Sequence, residues 1–239
     1  FFHAQRGEYR RAVEHLARSL EIAPTYAVAH EYLGHLQCEA GLAEEGVRRI
    51  ELATRLEPTL VRGRSDVARH HALHGRYEAF ETAMREAERL CGETAPLMVI
   101  HIRVALWRGD FERAERYRER LPAEVQYALL TRFLTQYAFG EIDAEQADAT
   151  FSAMQLAARA NPRLAALAAQ AMAEMHGVRD EAERALAHVV RAADGVLTDI
   201  DWLDHCPVLA RARTLAGFDE ARRRVERRAL DIWTPRPRL

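Results

Sequence analysis

Residues 30–58 read HEYLGHLQCEAGLAEEGVRRIELATRLEP, and this stretch contains the strongest indication of the fold. Its glycine at position 41 belongs to a series in which Gly7, Gly41, Gly75 and Gly109 follow one another at intervals of 34 positions. Self-similarity at a fixed period of this length is the sequence signature of stacked supersecondary units. The chain is therefore predicted to be a repeat array.

Each unit is predicted to be a pair of helices that fold back on each other at the periodic glycine. Glycine readily adopts the left-handed backbone conformation that ends one helix and lets the next begin. Small residues such as Gly34 and Ala68 would let two helices approach closely, and aromatic residues would fill the wedge between helices. The aromatic residues are Tyr9, Tyr77 and Phe111. Neither helix buries its apolar stripe alone, so the units must stack.

Prolines and aspartates mark where the predicted helices begin and end. Pro24 and Pro58 stand 34 positions apart, and each is expected to end the second helix of its unit. Asp110 directly follows a turn glycine and is expected to cap the next helix by accepting a hydrogen bond from its first amides. Asp199 and Asp201 are interpreted in the same way, since carboxylates are stabilised at helix starts.

The regular spacing is lost after position 122, although apolar patterns of helical period continue. Residues 123–195 are predicted to form two degenerate helix pairs, of which the second turns at Gly177. Residues 196–239 are predicted to form a capping segment with a last helix that starts near Asp219 and has an outer face rich in arginine. No strand is expected here or in residues 1–122.

The second unit resembles the tetratricopeptide repeat. The match covers roughly the first half of the chain well and the rest loosely. The resemblance implies an all-α, right-handed solenoid of antiparallel helix pairs with a C-terminal capping helix. Because the first copy is truncated at its N-terminus, we expect the chain to be the C-terminal part of a longer protein. The residues that carry the resemblance are His30, Leu33, Gly34, Gly41, Ala53 and Pro58.

The charge balance disfavours nucleic acid and membranes as partners. The chain has 34 basic and 36 acidic side chains and a formal net charge of −2, so no global positive field concentrates polyanions. Every basic residue is arginine, which excludes chemistry that needs a lysine within this segment. Three isolated cysteines and the absence of a long apolar run predict a cytoplasmic protein with reduced thiols.

No constellation of residues predicts an enzyme or a metal site. The sequence contains neither a nucleophile elbow nor a glycine-rich phosphate loop. His70 and His74 lie one helical turn apart, a spacing that can hold a metal ion, but no third ligand is apparent. Folding would have to bring His35 or His101 near them. No catalytic residue, cofactor or metal is therefore predicted.

By resemblance to the family, the concave face of the array is lined by fixed positions on the first helix of each unit and binds a protein segment. Family members that clamp a C-terminal carboxylate use lysine and asparagine there, and this chain has neither at those positions. Arg69 and Arg103 could bind carboxylates of an acidic ligand or pair with acidic residues of the array, and both alternatives stay open. The predicted partner-binding groove comprises Glu31, His35, Cys38, Arg62, Ser65, Arg69 and Arg103.

The expected function is that of a non-catalytic scaffold that presents this groove to another protein. The closing pattern, with Leu203, Cys206, Pro207, Ile232 and Trp233, resembles the C-terminal arrays of bacterial multidomain serine/threonine kinases and regulators, which implies docking or sensing for another domain. The alternative is a domain that binds a small molecule or short peptide and regulates an attached effector. An enclosed apolar pocket would favour the small ligand, and an open arginine-lined trough would favour the protein segment.

Overall fold

The computed structural model describes residues 2–122 and 126–233, without the side chains of residues 126–129. These residues form helices joined by short turns and contain no β-strand, so the predicted all-α class is confirmed. The α-helices are α1 (Phe2–Gln5), α2 (Tyr9–Ile22), α3 (Ala27–Glu39), α4 (Ala43–Leu56), α5 (Val61–Leu73), α6 (Tyr77–Cys91), α7 (Ala95–Trp107), α8 (Phe111–Arg120), α9 (Gln126–Ala138), α10 (Ala144–Ala157), α11 (Pro162–Val178), α12 (Ala182–Asp194), α13 (Ile200–His205) and α14 (Phe218–Trp233). Short 3₁₀ helices lie at Ala158–Ala160, Pro207–Leu209 and Ala212–Thr214.

The helices from α1 to α12 pack in six consecutive pairs, each formed by two helices that are neighbours in the chain. Consecutive pairs also pack on one another, as α4 does on α5 and α8 on α9. This arrangement is the predicted solenoid-like stack of helix pairs. Residues 123–125 and 234–239, which fall in the predicted degenerate and capping regions, lie outside the described residues.

One turn geometry joins the two helices of every pair. In the second pair the amide of Leu42 donates to the carbonyl of Gln37 at 2.9 Å, and an equivalent bond of 2.8 or 2.9 Å recurs in the other five. This bond closes the helix C-terminus when the residue before the donor is left-handed. The periodic glycines all have that conformation, with φ between 69° and 81°, so their prediction as turns is confirmed: Gly7, Gly41, Gly75 and Gly109.

The sixth pair turns at Asp180 and not at Gly177. Asp180 has a φ of 62°, and the amide that follows it, that of Glu181, makes the turn bond to His176. Gly177 lies inside α11, where an added β-carbon would stand 2.3 Å from the carbonyl oxygen of Val208. The prediction for Gly177 is therefore wrong, because this glycine permits a close backbone contact instead of a turn.

Small residues hold the helices of a pair close together. A β-carbon added at Gly34 would lie 2.7 Å from the carbonyl oxygen of Gly46, so α3 and α4 approach to a distance that only glycine allows. Tyr9 is buried and Tyr77 is half-buried, as expected of aromatic wedges. Phe111 is 40% exposed, and the predicted wedge role is wrong for this residue.

The predicted helix ends agree with the structure. Pro24 and Pro58 follow the last residues of α2 and α4 by two positions, and neither lies within a helix. Asp110 accepts a hydrogen bond from the amide of Arg113 at 3.0 Å and so caps α8. These local signals were sufficient because proline and an N-terminal carboxylate act on their own segment of backbone.

The array closes on itself. Helix α11 packs on α7 and α9, α13 packs on α3 and α5, and α14 packs on both α2 and α12. The chain's own C-terminal half therefore covers the concave side of the first four pairs. The concave face that the resemblance implies is therefore not open in this conformation, because α14 joins the last pair to the first.

The last helix has the predicted amphipathic character. Its buried stripe consists of Phe218, Ala221, Val225, Ala229 and Ile232. On the polar face, two of the arginines, those at 222 and 224, pair with the acidic side chains at 204 and 194. The helix thus covers the end of the stack and also joins that end to α2. Among residues 2–122 and 126–233, no helix combines the length and the apolar character needed to pass through a bilayer.

Candidate functional site

The candidate site lies where the first helices of the repeat pairs meet the C-terminal half. We call the side of α3, α5 and α7 that carries His35, Glu39, Arg69 and Arg103 the inner face. We call α11 together with residues 196–205 the closing segment. Polar side chains pair across this contact in three successive places, which correspond to α3, α5 and α7.

The first pairing joins α3 to α11. Arg163 donates to a carboxylate oxygen of Glu39 at 2.7 Å, and both side chains are buried. The other oxygen of Glu39 accepts from the hydroxyl of Thr198 at 3.0 Å, and Arg163 also reaches the hydroxyl of Tyr9 at 3.0 Å. Burial opposes ionisation of Glu39, but Arg163 and His35 hold its pKa well below the usual value of 4.5. The pair is therefore ionised at neutral pH.

The second pairing joins α5 to the turn before α13. Arg69 donates to Asp199 at 2.6 Å, and the amide of Gln170 donates to the same oxygen at 3.0 Å. The other oxygen of Asp199 accepts from the backbone amide of Trp202 at 3.0 Å, as the predicted helix cap requires. Burial nevertheless raises the pKa of Asp199 above its usual value. One aspartate thus caps α13 and binds the inner face.

The third pairing joins α7 to α11. The Nε of Arg103 donates to Glu174 at 3.1 Å, and the indole of Trp107 donates to the same carboxylate oxygen at 3.1 Å. The guanidinium of Arg103 also lies 5.3 Å from the centre of the Trp107 ring. Glu174 is completely buried. Of the two alternatives left open for Arg69 and Arg103, this conformation has the one in which both pair with acids of the chain itself.

Three of the predicted groove residues are buried within the array. Glu31 accepts a hydrogen bond from the backbone amide of Gly63 at 2.7 Å and so ties the second pair to the third. Cys38 packs against Gly46 between α3 and α4. The hydroxyl of Ser65 donates to the carbonyl of Arg62 on its own helix at 2.8 Å. Their prediction as lining of an open groove is corrected, because in this conformation they stabilise the stack.

The remaining two predicted groove residues face each other between α3 and α5. The Nδ1 of His35 lies 2.8 Å from Asp66, and Asp66 also lies 3.9 Å from Arg62. The guanidinium of Arg62 stacks over the ring of Tyr32 at 4.3 Å. Burial lowers the pKa of His35, but Asp66 and Glu39 outweigh it and raise the pKa above 6.5. Binding of a partner by the seven predicted groove residues stays a prediction.

An apolar pocket of about 170 Å³ opens beside the third pairing, between α7, α9 and α11. Its wall is mostly aliphatic, and its polar side chains are concentrated at Arg103, Glu174 and Gln170 on one side and at two threonines on the other. The residues that line it are Val99, Ile102, Arg103, Leu106, Leu130, Thr131, Leu134, Thr135, Leu164, Leu167, Gln170, Ala171, Glu174 and Met175.

The partners on the closing segment are not among the residues predicted from the sequence. One pattern could have revealed them: Arg163, Gln170 and Glu174 recur at helical spacing on α11, as a polar stripe along a helix that is otherwise rich in alanine and leucine. A polar stripe that faces neither solvent nor a neighbouring repeat indicates a buried contact with a distant part of the chain. Glu39 gave no such pattern, since a lone acid near a helix end is common.

His70 and His74, the histidine pair weighed as a metal site, have a third neighbour that the sequence did not suggest. Neither His35 nor His101 lies beside His70 and His74, since His35 binds Asp66 and His101 binds Glu88 at 2.9 Å. The third side chain is the carboxylate of Asp201, which belongs to the closing segment.

No protein family matches the chain, and a search of curated proteins finds no match. The resemblance to the tetratricopeptide repeat therefore stays a prediction that rests on the periodic residues.

Proposed function

We propose that this chain is a non-catalytic sensing domain that binds a small, mostly apolar molecule between α7, α9 and α11. The observation that carries the proposal is the pocket beside Arg103 and Glu174. Ligand sites are concave and largely apolar, with a few convergent polar groups that orient the ligand. The pocket has that composition, whereas the inner face that would bind a protein segment is covered in this conformation.

The size of the pocket limits the ligand. A dry cavity of about 150 Å³ holds a molecule of the size of benzene. A pocket of about 170 Å³ therefore suits a ligand slightly larger than benzene, with about seven non-hydrogen atoms. Arg103 and Gln170 line the pocket from α7 and α11, and each has more N–H groups than its partner in the chain accepts, so a ligand with one carbonyl or carboxylate group would match the pocket.

The position of the pocket suggests how binding would be transmitted. Two of its walls, α7 and α9, belong to the array, and the third, α11, belongs to the closing segment. A ligand that contacts both sides stabilises the closed array relative to any more open form, by its difference in affinity for the two. An effector domain attached to this chain would be regulated through that equilibrium.

The chemistry of the cysteines supports the non-catalytic part of the proposal. Cys38 and Cys206 are buried, and burial raises the pKa of both thiols above the usual value of 9. A thiol acts as a nucleophile only as the thiolate. These two side chains are therefore suited to packing and not to covalent catalysis.

A screen with a pocket-filling variant tests the proposal. Small apolar molecules of about seven non-hydrogen atoms would be screened by thermal shift against the full chain, and binders measured by calorimetry. Ala171 lines the pocket, and Ala171→Phe is expected to fill it and abolish binding. Ala153→Phe, on the exposed side of α10, is the matched control and is expected to bind normally. If no molecule binds, or if both variants bind every hit equally well, the proposal fails.

A second candidate function, docking of a protein segment, is favoured by a separate observation. Arg69 and Arg103 each hold a carboxylate of the chain itself, so the inner face has the chemistry to bind acidic side chains. A partner with two suitably spaced acids could compete with Asp199 and Glu174 for these arginines. In this reading the closing segment occupies the groove until the partner displaces it.

Recovery of a partner from a lysate distinguishes this candidate from the first. Arg69→Ala with Arg103→Ala is expected to abolish recovery of an acidic partner, while Arg48→Ala with Arg55→Ala, on the outer helix α4, is the matched control. Recovery that is unchanged in the first variant would count against docking at the inner face. Because neither arginine in the control touches the closing segment in any described contact, loss in both variants would point to non-specific charge effects instead.

A further inference from the structure

A second group of side chains with ligand chemistry lies at the contact between α5 and α13, away from the apolar pocket. His70 lies on α5 and His74 follows one turn later, directly after the last residue of α5, while Asp201 and His205 stand one turn apart on α13. Residues four apart share one face of a helix. Two such pairs on facing helices therefore point four potential metal ligands into one space.

The distances bring three of these side chains together, with His205 beside them. The carboxylate of Asp201 lies 3.2 Å from Nδ1 of His70, 2.8 Å from Nε2 of His74 and 3.9 Å from Nε2 of His205. One ligand atom from each of His70, His74 and Asp201 lies within 4.8 Å of the others. The rings of His74 and His205 are 4.2 Å apart between centres. An ion held by the first three would take His205 as its fourth ligand after a rotation about the side-chain bonds of His205.

The side chains have the atom types that bind a metal ion. Metal ligands must be deprotonated imidazole and carboxylate. A bound ion would therefore replace the ring protons that His70 and His74 direct at Asp201.

We propose that His70, His74, Asp201 and His205 bind one divalent transition-metal ion of the Zn²⁺ type and so fasten the closing segment to the array. Three imidazole nitrogens and one carboxylate oxygen form a donor set that Zn²⁺ accepts in four-coordinate geometry. Magnesium and calcium prefer sites built from oxygen atoms. The ligands come from helices more than 120 residues apart in the chain, as the separations of 131 and 127 residues show. A bound ion would therefore act as a cross-link between the two halves.

The surroundings provide access for an ion. His205 has 44% of its side chain exposed and His74 has 28%, whereas Asp201 is buried at the base of the group. A depression lined in part by Gly41, Leu42 and Asp204 opens directly beside these side chains. An ion can thus reach the site without unfolding of the closed array.

One neighbouring side chain, that of Arg76, opposes metal binding and therefore offers a variant that should bind metal more tightly. The guanidinium of Arg76 lies 2.6 Å from Nε2 of His70 and donates a hydrogen bond to it, so the ring proton is on Nδ1, which faces Asp201. When Nδ1 binds a metal, the neutral ring carries its proton on Nε2, and Arg76 must move away. Removing Arg76 should therefore strengthen metal binding.

Another group, formed by Asp148, His176 and His188, is a weaker candidate. The Nδ1 of His176 is already engaged by Glu181 at 2.8 Å, and the guanidinium of Arg184 lies 3.8 Å from Asp148. A cation next to the carboxylate competes with a metal ion for it. The inference is therefore confined to the group on α5 and α13.

Titration of the untagged full chain with Zn²⁺ and Co²⁺ tests the proposal. Calorimetry is expected to show one Zn²⁺ per chain, and Co²⁺ to give the visible absorption of a four-coordinate site. His74→Ala and His205→Ala are each expected to weaken Zn²⁺ binding by more than about tenfold. His71→Ala, which changes the next residue on α5, is the matched control and is expected to bind as the wild type does. Arg76→Gln is expected to bind Zn²⁺ more tightly than the wild type.

The thermal unfolding midpoint separates loss of a ligand from loss of the fold. Zn²⁺ is expected to raise the midpoint of the wild type and of His71→Ala, and to leave that of His74→Ala and His205→Ala unchanged. Because His205 is partly exposed, His205→Ala without metal should unfold close to the wild type. The proposal is overturned if the wild type binds no stoichiometric metal, or if the ligand variants bind it as tightly as His71→Ala.

Discussion

Arg163 and Glu39 form a buried ion pair although 124 residues separate them in the chain. The pair joins the first turn of α11 to the last residue of α3, and it is surrounded by the hydroxyls of Tyr9 and Thr198. A buried charge is stable only when it is paired and hydrogen-bonded. This contact is therefore one of the points at which the C-terminal half is held against the first repeats.

Removing one member of the pair should destabilise the closed array more than removing both. Glu39→Ala leaves the guanidinium of Arg163 buried without its partner, and we expect a loss of about 3–5 kcal/mol in the free energy of unfolding. Glu39→Leu combined with Arg163→Met replaces both charges with apolar groups of similar size and is expected to recover most of that loss. Urea unfolding of the variants provides the measurement. A loss of less than about 1 kcal/mol in Glu39→Ala would show that the pair is not buried in solution.

The same carboxylate predicts how stability depends on pH. The pKa of Glu39 in the folded protein lies well below 4.5, so its stabilising contribution is complete above that value and is lost as the pH falls through the folded pKa. Wild type should therefore lose stability faster than Glu39→Gln below about pH 4.5. The pKa of Asp199 is raised by burial, so protonation of Asp199 stabilises the folded state as the pH falls. Asp199→Asn lacks this contribution and should lose stability on acidification faster than the wild type. Unfolding curves measured between neutral and acidic pH test both signs, and parallel curves for all three proteins would contradict them.

Replacing glycine with alanine should destabilise the folded chain by different amounts at positions 34 and 75. Gly34→Ala places a β-carbon 2.7 Å from the carbonyl oxygen of Gly46, so α3 and α4 must separate, and we expect a loss of about 2–3 kcal/mol. Gly75→Ala meets no atom within 4 Å, and only its φ of 69° is unfavourable, which predicts a loss of about 1–2 kcal/mol. Thermal unfolding of the two variants compares them directly. Equal losses would mean that close helix packing at Gly34 contributes nothing beyond backbone conformation.

The closing segment should loosen when its inner-face partners are removed. Arg69→Ala with Arg103→Ala leaves Asp199 and Glu174 buried without cations, which is unfavourable. We expect faster hydrogen exchange in α11 and α13 and little change in α4 and α6, which lie outside this contact. Uniformly faster exchange would indicate global destabilisation, and no change would show that the arginines do not hold the segment.

Local physics explains why the sequence was sufficient for the helices and their turns. The turn at Gly41 needs only a residue that adopts positive φ, and Asp110 caps the helix that starts beside it, so both features depend on a few neighbouring residues. The period of 34 then determines how such pairs repeat. The turn at Asp180 was missed because aspartate adopts positive φ less readily than glycine, and Gly177 nearby gave the more familiar pattern.

Tertiary structure alone decided that the array closes and what its arginines bind. The pairing of Arg103 with Glu174 and the meeting of His74 with Asp201 depend on how the small rotations between successive pairs add up, and no local pattern contains that sum. The amino-acid pattern was sufficient for an all-helical stack of paired helices, because periodic turns and apolar stripes act over one repeat. Which faces of that stack meet is set by its accumulated curvature, and therefore only the folded chain shows the apolar pocket and the histidine group.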